Sequence, residues 1–397
     1  MKNSSLLKVA VLFCMLIGTT IFFSHISTKL WGNKPEAIPE VQELVIVEGM
    51  TVGEFGQQNS IPNPVMKETL GLQSKSDLQK KLEDFDLTHE QIKDKFDKSM
   101  TLEAEHESKN LVKIPLKFGL WFVFLGVVFT LIRKTKISGL RRKILYLSAI
   151  IIFGIILGAD PSPMGTVKDA IHLYGTKKVI FPPRMIALTI FLTIVFLANK
   201  FICAWGCQLG TLQDMLFRLN RNKKDTKGLI QQYKPSFVVT NSIRVIFFVF
   251  FTLVAFMWAT DIIDPIDPFK IYKPAYITSI GWLFISSILV FSLFLYRPWC
   301  HLFCPFGLIG WLVEKVSLFK VKVDYESCIS CEACAKACPS TVMNAILKRE
   351  NVIPDCFACG TCINVCPTDS IKFQVGKRNN PPENKFKAIE NKKESSL

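Results

Sequence analysis

Nucleotide-binding signatures are missing from this sequence, which has no Gly-x-Gly-x-x-Gly turn and no phosphate-binding loop. The chain therefore gives no support for a nicotinamide or nucleotide cofactor. Histidine is scarce, with five in 397 residues, and no Ser-His-Asp triad or paired carboxylate stands out as catalytic. Cysteine is absent from residues 15–202, so the 13 cysteines do not form the spread disulfide framework of a small secreted domain.

Apolar residues are abundant instead, and they make up 49% of the chain. They come in long runs rather than in the striped pattern of soluble helices, and a helix needs about 20 such residues to cross a bilayer. Six runs approach this length, at residues 6–23, 114–132, 144–157, 185–203, 237–258 and 280–296. The expected fold class is an α-helical polytopic membrane protein of about six spans.

The basic residues predict the orientation of these spans. The loops at residues 133–143 and 218–234 are rich in Lys and Arg, whereas the loop at residues 260–279 holds three aspartates. Because loops rich in Lys and Arg stay in the cytoplasm, we expect a multi-pass protein of the bacterial cytoplasmic (inner) membrane with both termini inside. The net charge of +15 is attributed to this topology and to contact with membrane lipid, not to nucleic-acid binding.

One soluble stretch, residues 35–110, is expected outside the membrane. It has 16 acidic residues and eight lysines, a net charge of −8, which argues against a DNA-binding helix–turn–helix. Thr51 with Glu54 and Thr88 with Gln91 have the spacing of capping boxes, in which each end satisfies a free backbone amide. We expect a small helical domain that acts as a spacer or docks a partner.

The C-terminal part contains two matching cysteine runs, Cys328-x2-Cys331-x2-Cys334-x3-Cys338-Pro339 and Cys356-x2-Cys359-x2-Cys362-x3-Cys366-Pro367. With this spacing, three thiolates of one run surround a [4Fe–4S] cluster and the fourth ligand comes from the other run. The first cluster is assigned to Cys328, Cys331, Cys334 and Cys366, and the second to Cys356, Cys359, Cys362 and Cys338. The doubled run resembles the bacterial two-cluster ferredoxins, small α+β electron carriers, although paired Cys-x2-Cys motifs also suit zinc.

Two further cysteine pairs, Cys203-x3-Cys207 and Cys300-x3-Cys304, end the fourth and sixth apolar runs. Each pair is followed by a glycine and an apolar segment, which indicates a duplicated two-helix unit. Since residues i and i+4 share a helix face, each pair can present two sulfurs to a further Fe–S, copper or zinc site. Packed or reducible thiols are the alternative reading, and Cys14 is expected to be an inert apolar thiol.

Ionisable groups at membrane depth are candidates for function. Five groups at the outer ends of the spans form a hypothetical quinol site: Asp160, His172, Tyr174, Arg184 and Asp264. Solvated charges and helix caps explain the same residues, because they lie in loops.

The two Cys-x3-Cys motifs, the spans between them and the doubled cysteine run together resemble the NapH-type membrane iron–sulfur proteins over residues 144–373. The same core resembles the C-terminal half of the NosR-type regulators of nitrous-oxide respiration. The resemblance implies electron transfer between the quinol pool, or a cytoplasmic donor, and an extracytoplasmic or membrane redox partner. Two features depart from these families: Gln208 stands where proline is usual, and no flavin-attachment site is found.

Five segments follow from these features: residues 1–25, a signal-anchor or first transmembrane helix; 26–112, the extracytoplasmic domain; 113–320, the membrane core; 321–375, a cytoplasmic 2[4Fe–4S] ferredoxin domain; and 376–397, a basic disordered tail. The predicted function is electron transport through two [4Fe–4S] clusters. A copper-handling or metalloenzyme assembly factor and a membrane redox sensor are the alternatives. Whether the chain itself oxidises quinol, and whether the first span is cleaved, stay open.

Overall fold

The computed structural model describes residues 2–31, 44–47, 49–85, 87–107, 110, 112–135, 137–222, 228–383 and 385–386. Three helices in the described chain are long and apolar enough to cross a membrane: α1 (Lys2–Trp31), α5 (Lys113–Arg133) and α11 (Phe237–Met257). Only 11% to 22% of the most apolar stretch of each helix is buried inside the protein. Most of their apolar side chains therefore face outward, as those of lipid-facing helices do, and these helices indicate a membrane protein.

The other three predicted spans form shorter or interrupted helices. They lie in α6 (Gly139–Ala149), which continues as a π-helical stretch (Ile150–Ile156), in α8 (Pro182–Ala198, 17 residues) and in α12 (Ser279–Phe291, 13 residues). An additional helix, α7 (Pro163–Lys177), packs against α8 and α11.

Backbone turns shorten α8 and α12 relative to the prediction. Asn199 follows α8 with a φ of 59°, and such a residue redirects the chain because non-glycine residues rarely adopt positive φ. Helix α12 ends at Phe291, where the amides of Leu293 and Phe294 donate to the carbonyls of Val290 and Phe291 in tight turns. Arg297, with a φ of 48°, is the N-cap of α13 six residues later.

Each Cys-x3-Cys motif lies in a hairpin of two short helices, as the duplicated sequence predicts. The first hairpin joins α9 (Phe201–Trp205) to α10 (Gln208–Leu219), and the second joins α13 (Pro298–Leu302) to α14 (Pro305–Glu314). A Cβ atom on Gly210 would lie 2.4 Å from the carbonyl oxygen of Cys203, and one on Gly307 would lie 2.7 Å from that of Cys300. Only glycine lets the second helix begin so close to the first cysteine.

The predicted outer domain is a small helical unit with its own core. It contains α2 (Val52–Gln58), α3 (Asn63–Leu70) and α4 (His89–Glu107), and the rings of Phe55 and Phe96 meet inside it with centroids 5.0 Å apart. Both predicted capping boxes are confirmed: Thr51 Oγ1 accepts from Glu54 N at 3.3 Å, and Thr88 Oγ1 accepts from Gln91 N at 3.3 Å, with the reciprocal bonds also present. Residues 26–31, predicted for this domain, belong instead to α1.

The C-terminal domain is closed by a two-stranded antiparallel sheet. Its elements are β1 (Phe319–Val323), α15 (Ala333–Ala337), α16 (Val342–Lys348), α17 (Thr361–Val365) and β2 (Ile371–Val375). Phe319 pairs with Val375 and Val323 pairs with Ile371, so the chain enters and leaves the domain at the same end of the sheet. The amide of Leu318, just before β1, donates to the carbonyl of Phe196 in α8 at 2.8 Å and ties this end to the membrane core.

Part of the predicted disordered tail packs against this domain. Arg378 donates to the carbonyl of Val321 at 3.0 Å, and Phe386 is 8% exposed with its ring 6.3 Å from that of Tyr325. The aromatic side chain of Phe386 packs into an apolar site beside the sheet. The polar composition of the tail gave no reason to expect this contact. Residues 387–397 lie outside the described residues.

Candidate metal centres

The first cysteine set consists of Cys328, Cys331, Cys334 and Cys366. These residues line one pocket, and Cys334 lies within electrostatic range of the other three. Ser330 and Glu332 have left-handed φ values of 58° and 54° and wrap the loop around the pocket. The set is open to solvent on one side, because Cys331 is exposed and Ile329 is 63% exposed.

The second cysteine set consists of Cys338, Cys356, Cys359 and Cys362. These residues line a separate pocket, and Cys362 lies within electrostatic range of the other three. Ala358 and Gly360 have φ values of 49° and 74°, at the positions that match Ser330 and Glu332 of the first set. The two ligand loops therefore share one backbone conformation, as their repeated sequence suggests.

Burial in both sets opposes ionisation of the free thiols. It raises the pKa of the Cys334 thiol to about 12 and raises the pKa of the Cys338 thiol above its usual value. A bound metal must therefore displace protons from these sulfurs. In the part of the chain that the structure describes, no three His, Cys, Asp or Glu side chains converge tightly enough to chelate a single ion. The ligands of a [4Fe–4S] cluster stand further apart, because each thiolate binds a different iron atom.

The membrane cysteine set consists of Cys203, Cys207, Cys300 and Cys304, each 7% or 8% exposed. Cys304 lies within electrostatic range of the other three, so the two pairs predicted separately meet at one place. Cys207 and Cys304 stand at the N-terminal caps of α10 and α14. Backbone amides at these helix starts, those of Gly210 and Gly307, hydrogen-bond to the two sulfurs. A helix N-terminus of this kind favours a negatively charged thiolate.

Several buried hydrogen-bond donors on residues near the membrane cysteine set have no acceptor among the described residues. They are Gln213 Nε2, Arg244 Nε and Arg297 Nε, together with Trp299 Nε1 on the residue directly before Cys300. Gln213 also accepts a 3.8 Å contact from the Cys300 sulfur through its Oε1, so its unpaired amide lies beside the set. An unpaired buried donor is costly, and the sulfurs of a thiolate-bound metal group would accept from such donors. The residues present therefore fit an anionic Fe–S group at this place.

Three buried cations lie against the same hairpins. Lys200 and Arg297 stand three residues before the first cysteine of their motifs, and each reaches across to the other hairpin. Lys200 Nζ donates to the carbonyl of Gly307 at 2.8 Å, and Arg297 Nη1 donates to that of Cys203 at 2.6 Å. Arg244 of α11 also donates to Gly307, at 3.2 Å. Positive charge so close to four sulfurs offsets the negative charge that thiolates bring.

Asp214 of α10 neutralises one side of this cationic group. It is fully buried and lies 2.6 Å from both Arg218 Nε and Arg297 Nη2. The hydroxyls of Tyr146 and Tyr296 each donate to its Oδ2 at 2.9 Å. Asp214 therefore joins α6, α10 and the segment before α13 into one buried polar unit.

Asp355, in the loop before Cys356, neutralises the other side. It is fully buried and lies 2.6 Å from Lys200 Nζ and 3.0 Å from Arg244 Nη1. Burial favours the neutral acid, but Lys200 and Arg244 outweigh it and lower the pKa of Asp355 to about 2. The carboxylate is thus ionised at neutral pH, and it anchors the C-terminal domain in the membrane core.

Sequence reasoning missed these charged residues. Lys200, Arg244 and Arg297 lie within or beside apolar runs, which is the signal that could have marked them. Asp355 carries no local signal, because its basic partners are 155 and 111 residues away in the sequence.

Three of the five residues of the predicted quinol site are held in ion pairs. Asp160 pairs with Lys273 at 2.5 Å, Arg184 with Glu105 at 2.9 Å, and Asp264 with Lys270 at 2.8 Å. Tyr174 is 44% exposed beside Phe256, with ring centroids 6.0 Å apart. His172 lies in α7 and has a buried Nδ1 that finds no hydrogen-bond partner among the described residues. A shared quinol site for these five residues stays a prediction.

Two families of iron–sulfur domain match the chain. A 4Fe-4S dicluster domain matches residues 320–367, and a 4Fe-4S binding domain matches twice, at residues 180–227 and 276–324. The repeated match covers both Cys-x3-Cys hairpins. The same kind of domain thus recurs in the membrane core and at its C-terminal edge.

Several curated proteins are similar to parts of the chain. The Escherichia coli (strain K12) protein named "Putative electron transport protein YccM" is 26% identical over 177 residues, which are 42% of this chain and 49% of that protein. An uncharacterized protein of Methanocaldococcus jannaschii is 23% identical over 228 residues (57% and 82%), and a second is 21% identical over 158 residues (39% and 65%).

The chain thus spans about half the length of the first of these relatives. No solved structure matches it. With its 13 cysteines and three domain matches, the chain is an iron–sulfur protein that carries 4Fe–4S binding domains.

Proposed function

We propose that this chain is a multi-pass protein of the bacterial cytoplasmic membrane that transfers electrons through [4Fe–4S] clusters. One observation carries the proposal: two four-cysteine sets each line their own pocket, and the ligand loop of the second set contacts both hairpins of a third four-cysteine set in the membrane core. The matches to 4Fe–4S domains and the name of the Escherichia coli relative support it. The NapH-type resemblance agrees with the same function.

In this proposal each C-terminal cysteine set holds one [4Fe–4S] cluster. The first set supplies Cys328, Cys331, Cys334 and Cys366, and the second supplies Cys338, Cys356, Cys359 and Cys362. Bound clusters provide reversible one-electron chemistry. The chain's own residues hold the sulfurs in place through the two wrapped loops and keep water from the second set by burial.

The membrane cysteine set is proposed to hold a further Fe–S group. The unpaired donors of Gln213 and Trp299 and the cations Lys200 and Arg297 suit an anionic sulfur-rich group better than they suit neutral packed thiols. Copper bound by soft thiolates is the other metal that this set would accept, and metal analysis separates the two.

Quinol, or a cytoplasmic donor, is the proposed electron partner on one side, and a redox protein outside or within the membrane is the partner on the other. The membrane cysteine set lies among helices whose apolar faces point outward, so a lipid-soluble quinol is a suitable reactant. Six crossings, with both termini in the cytoplasm, would place the C-terminal domain on the inner side. Whether the chain by itself catalyses quinol oxidation depends on that partner.

Anaerobic purification and metal analysis test the proposal directly. Two clusters correspond to about eight iron atoms per chain and a third [4Fe–4S] group to about four more, with sulfide in equal amount. Quinol or a soluble low-potential donor should bleach the visible absorbance. Protein that contains zinc or copper and no sulfide, or that no donor bleaches, would overturn the electron-transfer function.

Single-cysteine variants assign the sets. Cys331→Ser should lose about four iron atoms with the first set, and Cys359→Ser about four with the second. Cys14→Ser is the matched control, since Cys14 is exposed on α1, far in sequence from every set, and should change nothing. Equal iron loss from Cys14→Ser would contradict the assignment.

A further inference from the structure

The two matching ligand loops of the C-terminal domain face opposite surroundings. Cys328-Ile-Ser-Cys331 and Cys356-Phe-Ala-Cys359 have the same spacing and the same left-handed third residue. Yet Ile329 is 63% exposed, whereas Phe357, at the matching position, is 4% exposed. The Cys328–Cys331 loop therefore faces solvent, and the Cys356–Cys359 loop is buried inside the protein.

Phe357 is buried against the second Cys-x3-Cys hairpin. Its ring centroid lies 5.4 Å from that of His301 and 5.9 Å from that of Tyr296, and the guanidinium of Arg297 lies 4.8 Å from it. His301 directly follows Cys300 in the chain, and Phe357 directly follows Cys356. A single ring–ring contact thus joins the neighbours of a second-set cysteine and a membrane-set cysteine.

Ala358, the other middle residue of this loop, contacts the first Cys-x3-Cys hairpin. Its carbonyl accepts a hydrogen bond from Trp205 Nε1 at 3.3 Å. Trp205 lies between Cys203 and Cys207, as His301 lies between Cys300 and Cys304. The two middle residues of one ligand loop therefore each touch the interior of one membrane motif.

Buried polar contacts fix this loop in place. Asp355 is held by Lys200 and Arg244, the amide of Cys356 donates to Glu314 Oε1 at 3.0 Å, and the carbonyl of Cys359 accepts from Arg142 Nε at 3.0 Å. Fully buried ion pairs and hydrogen bonds of this kind break only at a large cost. The loop is therefore held rigidly against the membrane core, and the C-terminal domain does not need to move to bring the second set to the membrane cysteine set.

We propose that the loop from Cys356 to Cys359 is the junction through which the C-terminal domain exchanges electrons with the membrane cysteine set. The exposed loop from Cys328 to Cys331 is the port at which a soluble one-electron carrier exchanges electrons with the protein. The order is thus fixed as soluble carrier, first set, second set, membrane set. In the reductive direction the carrier loses one electron and the membrane set gains it, and no bond or proton is transferred. This inference rests on the proposed function and names its cytoplasmic partner class.

Accessibility to a soluble relaxing agent tests the order without any turnover. Dithionite-reduced Cys359→Ser protein shows the first-set signal by electron paramagnetic resonance, and reduced Cys331→Ser protein shows the second-set signal. A dysprosium complex in the buffer should relax the first-set signal strongly and the second-set signal weakly. Equal relaxation of both signals, or stronger relaxation of the second, would overturn the assignment of port and junction.

Phe357→Leu tests the junction, and Val352→Leu, at a 53% exposed position of the same domain outside both ligand loops, is its control. Phe357→Leu should keep its iron and its rate of reduction by a viologen radical, but its reoxidation by a water-insoluble quinone should slow severalfold. Val352→Leu should leave both rates unchanged. Trp205→Phe, which removes the hydrogen bond to Ala358 but keeps an aromatic ring, serves if Phe357→Leu loses iron. Reoxidation at the wild-type rate in both junction variants would sink the inference.

The failures of the two proposals are distinguishable. If the wild-type protein holds no clusters or none of them is reduced, the proposed function fails. If the wild-type clusters are reduced but both sets relax alike, only the order fails.

Discussion

Single charged side chains with almost no exposure hold the membrane core of this protein together. Five of the charged side chains that are 0% or 1% exposed lie around the cysteine hairpins: Lys200, Asp214, Arg244, Arg297 and Asp355. A buried charge is tolerated only when it is paired and hydrogen-bonded, and each of these has a partner of opposite sign. The pairs join segments that are distant in sequence, so they determine how the hairpins and the C-terminal domain meet.

Removing Asp214 should therefore destabilise the protein strongly. Asp214→Ala leaves Arg218 and Arg297 buried without their counter-charge, and we expect a loss of about 3–5 kcal/mol in the free energy of unfolding. Asp94→Ala is the control, because the Asp94–Lys98 pair on α4 is solvent-exposed and such pairs contribute less than about 1 kcal/mol. Thermal unfolding in detergent compares the two variants, and similar midpoints would contradict the expectation.

Asp267, in the outer loop, should make stability depend on pH. Burial raises the pKa of this carboxyl from 3.8 to about 6, although Lys168 and the amide of Phe269 oppose the shift. A raised pKa means that the folded state prefers the protonated acid. Its contribution to stability is complete below pH 3.8 and is lost as the pH rises through 6.

Asp267→Asn should remove this contribution. The variant keeps an oxygen that can accept from the amide of Phe269, which lies 2.9 Å from the native Oδ1. Its thermal midpoint should exceed that of the wild type at alkaline pH, and the difference should shrink as the pH falls below about 6. A constant difference at every pH would show that the effect is not one of ionisation.

At the scale of elements, each cysteine hairpin depends on one glycine, Gly210 or Gly307, which packs against the backbone of the first cysteine of its motif. The close approach of Gly210 to Cys203 and of Gly307 to Cys300 brings the start of each second helix against the first cysteine of the same motif. This geometry directs the first amides of α10 and α14 at Cys207 and Cys304. It also explains why both motifs carry a glycine three residues after their second cysteine.

Alanine at either glycine should disrupt its hairpin. Gly210→Ala forces a methyl group to within 2.4 Å of a carbonyl oxygen, and overpacking of this kind costs about 1–3 kcal/mol or more. We expect a lower thermal midpoint and loss of metal from the membrane cysteine set. Gly126→Ala in α5 is the control, since a Cβ there meets nothing within 4 Å. Unchanged metal content in Gly210→Ala would mean that metal binding does not depend on this geometry of the hairpin.

Much of this element-scale structure follows from local sequence. The capping boxes of the outer domain and the pair of short helices around each Cys-x3-Cys motif can be recognised from short sequence motifs. The ends of α8 and α12 are not, because the turns at Asn199 and after Phe291 fall within the apolar runs that predicted these helices. Likewise, Phe386 packs on a site formed by β1 and Tyr325. The residues next to Phe386 in the sequence give no sign of this contact.

At the scale of the whole molecule, the outer domain is tied to the membrane core by ion pairs from α4. Asp97 lies 2.9 Å from Lys177 of α7, and Glu105 lies 2.9 Å from Arg184 at the start of α8. The sequence predicts Arg184 as a quinol ligand, and its ion pair with Glu105 gives it a second role, which is to hold α4 against α8. The placement of long-range pairs of this kind cannot be predicted from local sequence, because nothing near either residue specifies the other.

Arg184→Gln should loosen the outer domain without removing iron. Loss of the pair with Glu105 should increase hydrogen exchange along α4, measured by mass spectrometry on the protein in detergent. Lys98→Gln, on an exposed part of the same helix, should not. Protection of α4 equal to that of the wild type would mean that the ion pair does not hold the domain. Impaired quinol binding with α4 still protected would instead favour the quinol role.

The antiparallel pairing of β1 with β2 has a consequence for modularity. Since Phe319 lies opposite Val375, the entry and exit points of the C-terminal domain are neighbours, and domains with adjacent ends tolerate transplantation and circular permutation. Another two-cluster domain could be grafted between these two positions without altering the span before it. To keep the contacts of Asp355 and Phe357 with the membrane core, such a chimera would carry an acidic residue and an aromatic residue at these two places.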